Sequence, residues 1–136
     1  MKNDKKGFSH LIDSTKYSLK GIKAAFQHES AFRQELIVCA VLFPLSFYLA
    51  DSIVAWSILI IPLFTLLITE LLNSGLESVV DRIGSEFHEL AGRAKDLASA
   101  AVFINIVFLV IIWGAYLLYY FDLFFAKEIK GGLFDF

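Results

Sequence analysis

Four polar side chains recur at helical spacing where a long apolar run ends: Glu70, Asn73, Glu77 and Asp81. At about 3.6 residues per turn, their intervals of three and four residues place them on one helical stripe about 16 Å long. An acidic side chain at membrane depth costs about 2.5 kcal/mol or more unless it is paired, solvated or bound to a cation. A helix end that emerges into water explains Asp81. Glu70 and Glu77 still have apolar neighbours, so these two residues indicate a functional site.

The ligand atoms of this stripe are carboxylate and amide oxygens, which suit Mg²⁺ better than Zn²⁺. A carboxylate in apolar surroundings is also a better general base near neutral pH. Glu29 precedes the first apolar run and adds another carboxylate at the same depth. Further polar residues crowd the same side of the membrane: Glu86, His88, Glu89, Arg93, Lys95, Asp96 and Ser99. The pattern indicates magnesium-assisted phosphoryl transfer at a membrane surface.

We make more specific predictions for two residues of this group. Lys95 is a candidate for binding phosphate, whereas His88 is a weak metal candidate because no second histidine stands at ligand spacing. The chain has no Walker glycine loop and no G-x-G-x-x-G run, which excludes the soluble nucleotide-binding folds that depend on them.

Three apolar runs without a charged residue, 36–50, 52–69 and 97–121, must position these side chains. Hydrophobic residues make up 57% of the 136 residues and charged residues 19%, whereas soluble chains have roughly 45–50% and about 25%. A bilayer core of about 30 Å requires about 20 apolar residues in a helix, and flanking residues lengthen the first two runs. A buried helix of a soluble protein could explain one such run, but three of them argue against it. We predict an all-α membrane protein of one domain, residues 1–136, with membrane helices over 31–50, 52–80 and 97–121.

Before the first run, the segment 7–28 has the periodicity of an amphipathic helix. The residues of its apolar face recur at intervals of three and four, and lysines lie between them. The residues of this face are Phe8, Ile12, Thr15, Leu19, Ile22 and Phe26. We predict a surface helix in the membrane plane, with its lysines near anionic head groups. An ordinary soluble-type helix packed on cytosolic loops is the alternative.

The distribution of positive charge predicts the orientation. Lysine and arginine are concentrated in the first 35 residues and in 82–95, whereas the link between the first two runs has only Asp51. The N-terminus is therefore predicted in the cytoplasm and the C-terminus outside, in a multi-pass protein of an inner or plasma membrane. The N-terminal stretch lacks the apolar region of a signal peptide. The tail 122–136 is either an interfacial aromatic anchor or a frayed terminus.

Other features limit the partners and internal bonds. The net charge of −2 argues against a nucleic-acid partner. Cys39 is the single cysteine, which rules out an intrachain disulfide, and we interpret it as a small apolar filler. Asn105, inside the third run, is predicted to form an interhelical hydrogen bond. Three helices offer little volume to shield Glu70 and Glu77 from lipid, so we expect an oligomer with sites between protomers.

The run 70–96, ELLNSGLESVVDRIGSEFHELAGRAKD, resembles the signature of the bacterial integral-membrane diacylglycerol kinases. The run 29–35, ESAFRQE, resembles a second block of that family, and Gly7-Phe8 with Tyr17-Ser18 a third. The resemblance extends over residues 7–121. It implies a homotrimer of three-span protomers, each with an N-terminal surface helix, in the bacterial inner membrane. It also implies Mg²⁺-dependent transfer of the γ-phosphate of ATP to diacylglycerol at the cytoplasmic face, which gives phosphatidic acid.

The resemblance implies a role for each matching residue. Glu70 matches the general base that takes the proton from the lipid hydroxyl, and Glu29 and Glu77 match the carboxylates that hold magnesium at the ATP phosphates. The positions that match the nucleotide site are His10, where familiar members carry an arginine, and Tyr17, Glu29, Asn73, Glu77, Glu86, His88, Lys95 and Asp96. The positions that match the lipid site are Ala31, Phe32, Arg33, Gln34, Glu35, Glu70, Ser99 and Trp113.

Two other functions are weighed against a diacylglycerol kinase. Similar proteins in some bacteria phosphorylate the polyprenol undecaprenol, but residues 33–35 and 82–86 look more like the diacylglycerol branch. A non-enzymatic ion channel or structural subunit is the third possibility. A channel requires charged rings through the bilayer depth, whereas the acids of this chain cluster at one face.

Overall fold

Four helices follow one another in the part of the chain that the structure, a computed structural model, describes, namely residues 8–84, 86 and 88–131. They are α1 (Phe8–His28), α2 (Ser30–Leu49), α3 (Ile53–Ile83) and α4 (Glu89–Gly131). Three of them, α2, α3 and α4 up to Asp122, are long and apolar enough to cross a membrane. The predicted all-α class with three apolar helices after an N-terminal helix is therefore confirmed.

Local signals explain most of the helix boundaries. Glu29 has extended backbone angles, φ −102° and ψ 117°, and this one residue separates α1 from α2. At the start of α3 the Ser52 hydroxyl accepts a hydrogen bond from the Ala55 N–H at 3.2 Å, which satisfies a free donor of the first turn. Helix α3 then continues unbroken to Ile83 and ends before Gly84.

Helix α4 is longer than predicted at both ends. It begins at Glu89 rather than at residue 97, because 89–96 contains good helix formers and no proline. It also continues through 122–131, which the sequence assigned to a tail. The tail's last residues, 132–136, and the first residue of the predicted surface helix, Gly7, lie outside the described residues.

Helix α3 packs against both α2 and α4. The core is formed by buried side chains from these three helices: Cys39, Leu49, Leu59, Leu63, Leu66, Leu109 and Trp113. Hydrogen bonds tie the helices together away from the acidic stripe. The Trp113 indole N–H donates to the Leu59 carbonyl at 3.0 Å, and the Tyr116 hydroxyl donates to the Leu49 carbonyl at 3.1 Å.

Asn105 forms the interhelical hydrogen bonds that the sequence predicted. Its amide oxygen accepts from the Thr65 hydroxyl at 3.0 Å, and its amide nitrogen donates to the Thr69 hydroxyl at 2.5 Å. Both threonines lie on α3 and Asn105 lies on α4, so these bonds fix the two helices against each other.

Large apolar side chains cover the outer surface of the bundle. On α2, α3 and α4 most of them point outward, as expected of helices whose solvent is lipid rather than water. On α1, Leu11, Ile12, Leu19, Ile22 and Phe26 are also exposed. Among the described side chains of α1, Ala25 is the buried one. The apolar face of α1 is therefore uncovered by the rest of the chain.

Candidate active site

One helix carries the whole polar stripe. Glu70, Asn73, Glu77 and Asp81 all lie on α3, which runs past the apolar core without a break. Glu70 is only 3% exposed, whereas Glu77 is half-buried and Asp81 is exposed. The Asn73 side-chain amide donates to a Glu77 carboxylate oxygen at 3.5 Å. Burial therefore decreases along the stripe, from Glu70 toward the end of the helix.

A second buried carboxylate faces Glu70 from α2. Glu35 is 9% exposed and lies within electrostatic range of Glu70. Glu77 and Glu29 also act on Glu70 through their charges. Four carboxylates from α2, α3 and the α1–α2 junction thus meet in one region. Like charges so close together in a site of low dielectric repel one another, so the region favours the binding of a cation or a proton.

The expectation that Glu70 needs a second protomer for shielding is corrected by its burial in a single chain. Glu35 of α2 and Glu29 at the α1–α2 junction lie near Glu70, and this residue is 3% exposed within one chain. For Glu77, which is half-buried, the chain alone provides less shielding. The sequence did not reveal this cover because periodicity indicates a face of one helix and not the helix that packs on it.

Unpartnered polar atoms mark the same region. Among the described residues, four buried side-chain atoms make no hydrogen bond: Glu35 Oε2, Asn73 Oδ1, Ser74 Oγ and Trp56 Nε1. The first three belong to the Glu70 region, since Asn73 and Ser74 lie about one turn along α3. Buried polar groups in folded proteins are nearly always hydrogen-bonded, and exceptions require an explanation. We define Glu29, Glu35, Glu70, Asn73, Ser74 and Glu77 as the acidic cluster.

Arg33 fixes the junction that carries Glu29. Its guanidinium donates to the carbonyl oxygens of Phe26 and Gln27 at 2.9 and 3.3 Å. These are among the last carbonyls of α1, where a cation also interacts favourably with the helix dipole. Arg33, which the resemblance places in the lipid site, thus holds the C-terminal end of α1 against α2 and positions Glu29.

A cleft of about 560 Å³ opens between α1 and α3 beside the acidic cluster. Small residues on both helices, including Gly21 and Gly75, leave this space free. Its polar lining comes from five side chains: Ser18, His28, Glu29, Ser74 and Ser78. Sequence reasoning missed the serines and His28. The spacing of Ser74 and Ser78, one position after Asn73 and Glu77, was the signal that could have found two of them.

The C-terminal end of α3 and the N-terminal end of α4 are joined by an ion pair. The Lys95 ammonium lies 2.6 Å from a carboxylate oxygen of Asp81, and Glu77 also acts on Lys95 through its charge. The structure therefore brings Lys95 to the polar stripe, as expected of a phosphate-binding candidate. Asp96, the next residue on α4, is exposed.

Glu86 and His88 line a different cleft. This space of about 800 Å³ lies at the turn between α3 and α4, where Val80 and Ala94 also contribute to its wall. The His88 Nδ1 atom accepts a hydrogen bond from the Leu90 N–H at 3.2 Å, so one ring nitrogen is occupied by the start of α4.

The other predicted site residues differ in exposure. His10, Tyr17, Ala31, Gln34 and Ser99 are exposed, and Phe32 is buried. The Tyr17 ring has the Lys20 ammonium 5.7 Å from its centre.

Trp113 lies in the core, bonded to the carbonyl of Leu59. Leu59 precedes Glu70 by three helical turns, about 16 Å along α3. Trp113 is therefore part of the packing far from the acidic cluster.

The donor atoms of the cluster fit magnesium, although they do not form a complete cage. Among the described residues, no group of three or more His, Cys, Asp or Glu side chains is gathered closely enough to hold a metal ion. Mg²⁺ is commonly bound by one or two carboxylates, with water and substrate phosphates as its other ligands. Glu29 and Glu77 provide two such carboxylates, and the unpartnered oxygen of Asn73 provides another hard donor.

Comparison with known proteins gives a consistent result. Residues 16–117 match the prokaryotic diacylglycerol kinase family. The diacylglycerol kinase of Haemophilus influenzae is 49% identical over 113 residues, which cover 83% of this chain and 96% of that protein. The diacylglycerol kinases of Helicobacter pylori strain 26695 and Escherichia coli K12 are 47% and 45% identical over 113 residues, 83% of this chain in each case and 88% and 93% of those proteins. The chain belongs to the prokaryotic diacylglycerol kinase family.

Proposed function

We propose that this protein is an ATP-dependent kinase that transfers the γ-phosphate of ATP to diacylglycerol and forms phosphatidic acid. One observation supports this function above the others: the buried Glu70 carboxylate lies beside unpartnered polar atoms where the apolar run of α3 ends. The membership of the chain in the family supports the lipid substrate. Neither a channel nor a structural subunit requires a carboxylate in such a position.

Glu70 is the general base of the proposed reaction. Its carboxylate accepts the proton of the lipid hydroxyl while that oxygen forms a bond to the γ-phosphorus of ATP. The bond between this phosphorus and the bridging oxygen breaks, and ADP leaves with the electron pair. Glu70 suits this role because it is 3% exposed, so water competes little for its proton-accepting oxygens.

Glu29 and Glu77 are the proposed holders of Mg²⁺. When bound, the metal offsets negative charge on the ATP phosphates, which is a large part of catalysis in phosphoryl transfer. The charge interactions of Glu29 and Glu77 with Glu70 support this assignment because both carboxylates lie within electrostatic range of the base. A cation there also relieves their mutual repulsion.

The remaining residues of the nucleotide site are assigned by the resemblance. They are His10, Tyr17, Asn73, Glu86, His88, Lys95 and Asp96. Lys95 has additional support, since it lies at the end of the polar stripe in contact with Asp81. In the bound state its ammonium exchanges this carboxylate for a phosphate oxygen.

For the lipid site, we propose residues 31–35, Ser99 and Trp113 together with Glu70. Glu35 has the strongest support because its buried carboxylate faces Glu70 and has an oxygen without a partner. Ser99 requires a second protomer if it is to reach the same lipid, and Trp113 belongs to this set by the resemblance alone because its side chain is buried in the core.

The proposed setting is the bacterial inner membrane, with the N-terminus and the acidic cluster on the cytoplasmic side and the C-terminus outside. The excess of lysine and arginine at the N-terminus and at 82–95 supports this orientation. The uncovered apolar face of α1 supports a position in the membrane plane. The homotrimer is supported by the resemblance and by the limited cover of Glu77 within one chain.

The test is phosphate transfer from γ-labelled ATP by purified protein in mixed micelles. Diacylglycerol and undecaprenol are offered separately and in competition, with and without Mg²⁺. We expect labelled phosphatidic acid as the dominant product, formed only with Mg²⁺. Dominant undecaprenyl phosphate would contradict the lipid assignment and keep the chemistry. No transfer to either lipid from folded protein would contradict the kinase itself.

A further inference from the structure

A closed set of hydrogen bonds joins α3 to α4 inside the membrane-spanning part of the bundle. The Asn105 amide donates to the Thr69 hydroxyl at 2.5 Å, and the Thr69 hydroxyl donates to the Thr65 carbonyl. The Thr65 hydroxyl lies 3.0 Å from the Asn105 amide oxygen, and the Ile61 and Pro62 carbonyl oxygens of its own helix are alternative acceptors at 3.0 and 3.2 Å. Each hydroxyl has one proton to donate, so when the Thr65 proton points to Asn105 both ends of the amide are bonded to α3. We call these three residues the Asn105 network.

Crossing a bilayer does not require the Asn105 network, and burying its amide carries a free-energy risk. A side-chain amide in an apolar environment costs several kcal/mol when it lacks partners, and an apolar residue at 105 would avoid that risk. Bonds of this kind between membrane helices specify one relative position of the two helices, because any slip leaves the amide unpaired.

By fixing α3 against α4, the network also fixes the direction in which Glu70 projects from α3. Thr69 is the residue before Glu70, so fixing its side chain against α4 fixes the rotation of α3 about its axis. In that rotation Glu70 lies on the side toward α2, where it faces Glu35. The same bonds fix the height of α3 relative to α4, and thus of Glu70 relative to Lys95, which is tied to Asp81 at the helix ends.

We propose that Asn105, through Thr65 and Thr69, is a positioning residue that aims the Glu70 carboxylate at the lipid hydroxyl. The inference rests on the proposed function, in which Glu70 is the base. Small displacements of a catalytic group reduce rates strongly, and about 1 Å can cost on the order of 100-fold. The network therefore acts on turnover and not only on helix association.

The first experiment compares Asn105→Leu with wild-type protein, with turnover expressed per folded protein. Leucine has a similar volume and leaves both threonine hydroxyls free to bond their own helix. We expect turnover to fall about three- to fifteenfold, the range that interhelical hydrogen bonds in membranes span, with a KM for ATP within about twofold of wild type. Ser57→Ala is the matched control, because the Ser57 hydroxyl bonds the Ile53 carbonyl of its own helix at 2.8 Å. It should leave turnover unchanged.

Thr69→Val provides a second route if the leucine variant folds poorly, since valine has nearly the shape of threonine. Like Asn105→Leu, Thr69→Val should reduce turnover. The double variant Thr69→Val with Asn105→Leu should be no slower than Asn105→Leu alone, because both changes break one circuit. A multiplied loss would contradict the network as a unit.

A double-mutant cycle with Glu70→Asp separates positioning from stability. Aspartate withdraws the carboxylate by one methylene, so the base is already out of position and a further change in the rotation of α3 costs less. In this background Asn105→Leu should reduce the residual turnover by less than about twofold. An equal fold-loss in both backgrounds, or a lower unfolding midpoint with unchanged turnover, would overturn the inference. If wild-type protein transfers no phosphate to diacylglycerol, the proposed function fails, and that outcome is distinct from an active protein insensitive to Asn105→Leu.

Discussion

The acidic cluster and the Asn105 network are both polar regions on α3, and they differ in how their atoms are paired. In the network, the amide of Asn105 is bonded at both ends. In the cluster, Glu35, Asn73 and Ser74 have buried atoms without a partner. The two regions lie within a few turns of one another on the same helix, so the difference is a property of their roles. Paired polar groups hold helices together, and unpaired ones are left available for ligands.

The energetics explain why both types are present in one chain. A satisfied hydrogen bond contributes about 1 kcal/mol to stability, whereas a buried group without a partner costs about 1–3 kcal/mol. The unpartnered groups of the acidic cluster therefore lower the stability of the fold. A site of this kind is maintained when substrate, metal or proton supplies the missing interactions during turnover.

The largest expected effect is on the cluster. Glu70→Gln keeps the shape of the side chain and removes the proton acceptor, so turnover should fall about 10²- to 10⁴-fold. ATP binding and assembly should be retained, because the amide fills the same buried space. Steady-state kinetics together with equilibrium ATP binding would check both statements. Turnover close to wild type would end the assignment of Glu70 as the base.

A smaller effect is expected at the proposed metal site. Glu77→Gln removes a charged oxygen ligand, and the Mg²⁺ concentration that gives half-maximal activity should rise about tenfold or more. Activity at saturating Mg²⁺ should recover in part. Ser78→Ala, one position along α3, is the control, and it should leave the Mg²⁺ concentration for half-maximal activity unchanged. An unchanged titration for Glu77→Gln would place the metal elsewhere.

The smallest expected effects are on the free energy of unfolding. They allow a hydrogen-bonded group, the Tyr116 hydroxyl, to be compared directly with an unpartnered one, the Ser74 hydroxyl. Tyr116→Phe removes the donor to the Leu49 carbonyl and should lower the free energy of unfolding by about 1 kcal/mol, with unchanged kinetics. Ser74→Ala removes a buried hydroxyl without a partner and should leave the free energy of unfolding equal or higher. Reversible unfolding in mixed micelles measures both, with Tyr119→Phe as an exposed control. Equal destabilisation by both changes would remove the distinction between the two regions.

Sequence patterns predicted the features that belong to one helix at a time. The apolar runs are long enough that lipid burial overrides weaker local preferences, so three long helices were predictable. The polar stripe of α3 followed from spacing alone, and an amide at position 105 had to find a partner on another helix.

Features that depend on two helices were not predictable from spacing. The approach of Glu35 to Glu70 and the bonds from Arg33 to the end of α1 depend on helix rotation and crossing angle, which are decided by side-chain packing. The early start of α4 at Glu89 was not predicted because the third helix was taken from its uncharged run alone. A helix that leaves the membrane can remain helical in water when its residues favour it.

The length of α4 has a consequence for the membrane itself. With 43 residues it is about 65 Å long, and its uncharged part, 97–121, is about 38 Å. Since the hydrocarbon core is only about 30 Å thick, we expect the excess to be accommodated by tilt, a common response of an over-long membrane helix. Because the Asn105 network and the Asp81–Lys95 pair fasten α3 to α4, the two helices tilt together. Under the proposed function, the depth at which Glu70 meets its lipid then depends partly on bilayer thickness, so the host membrane contributes to the geometry of the reaction.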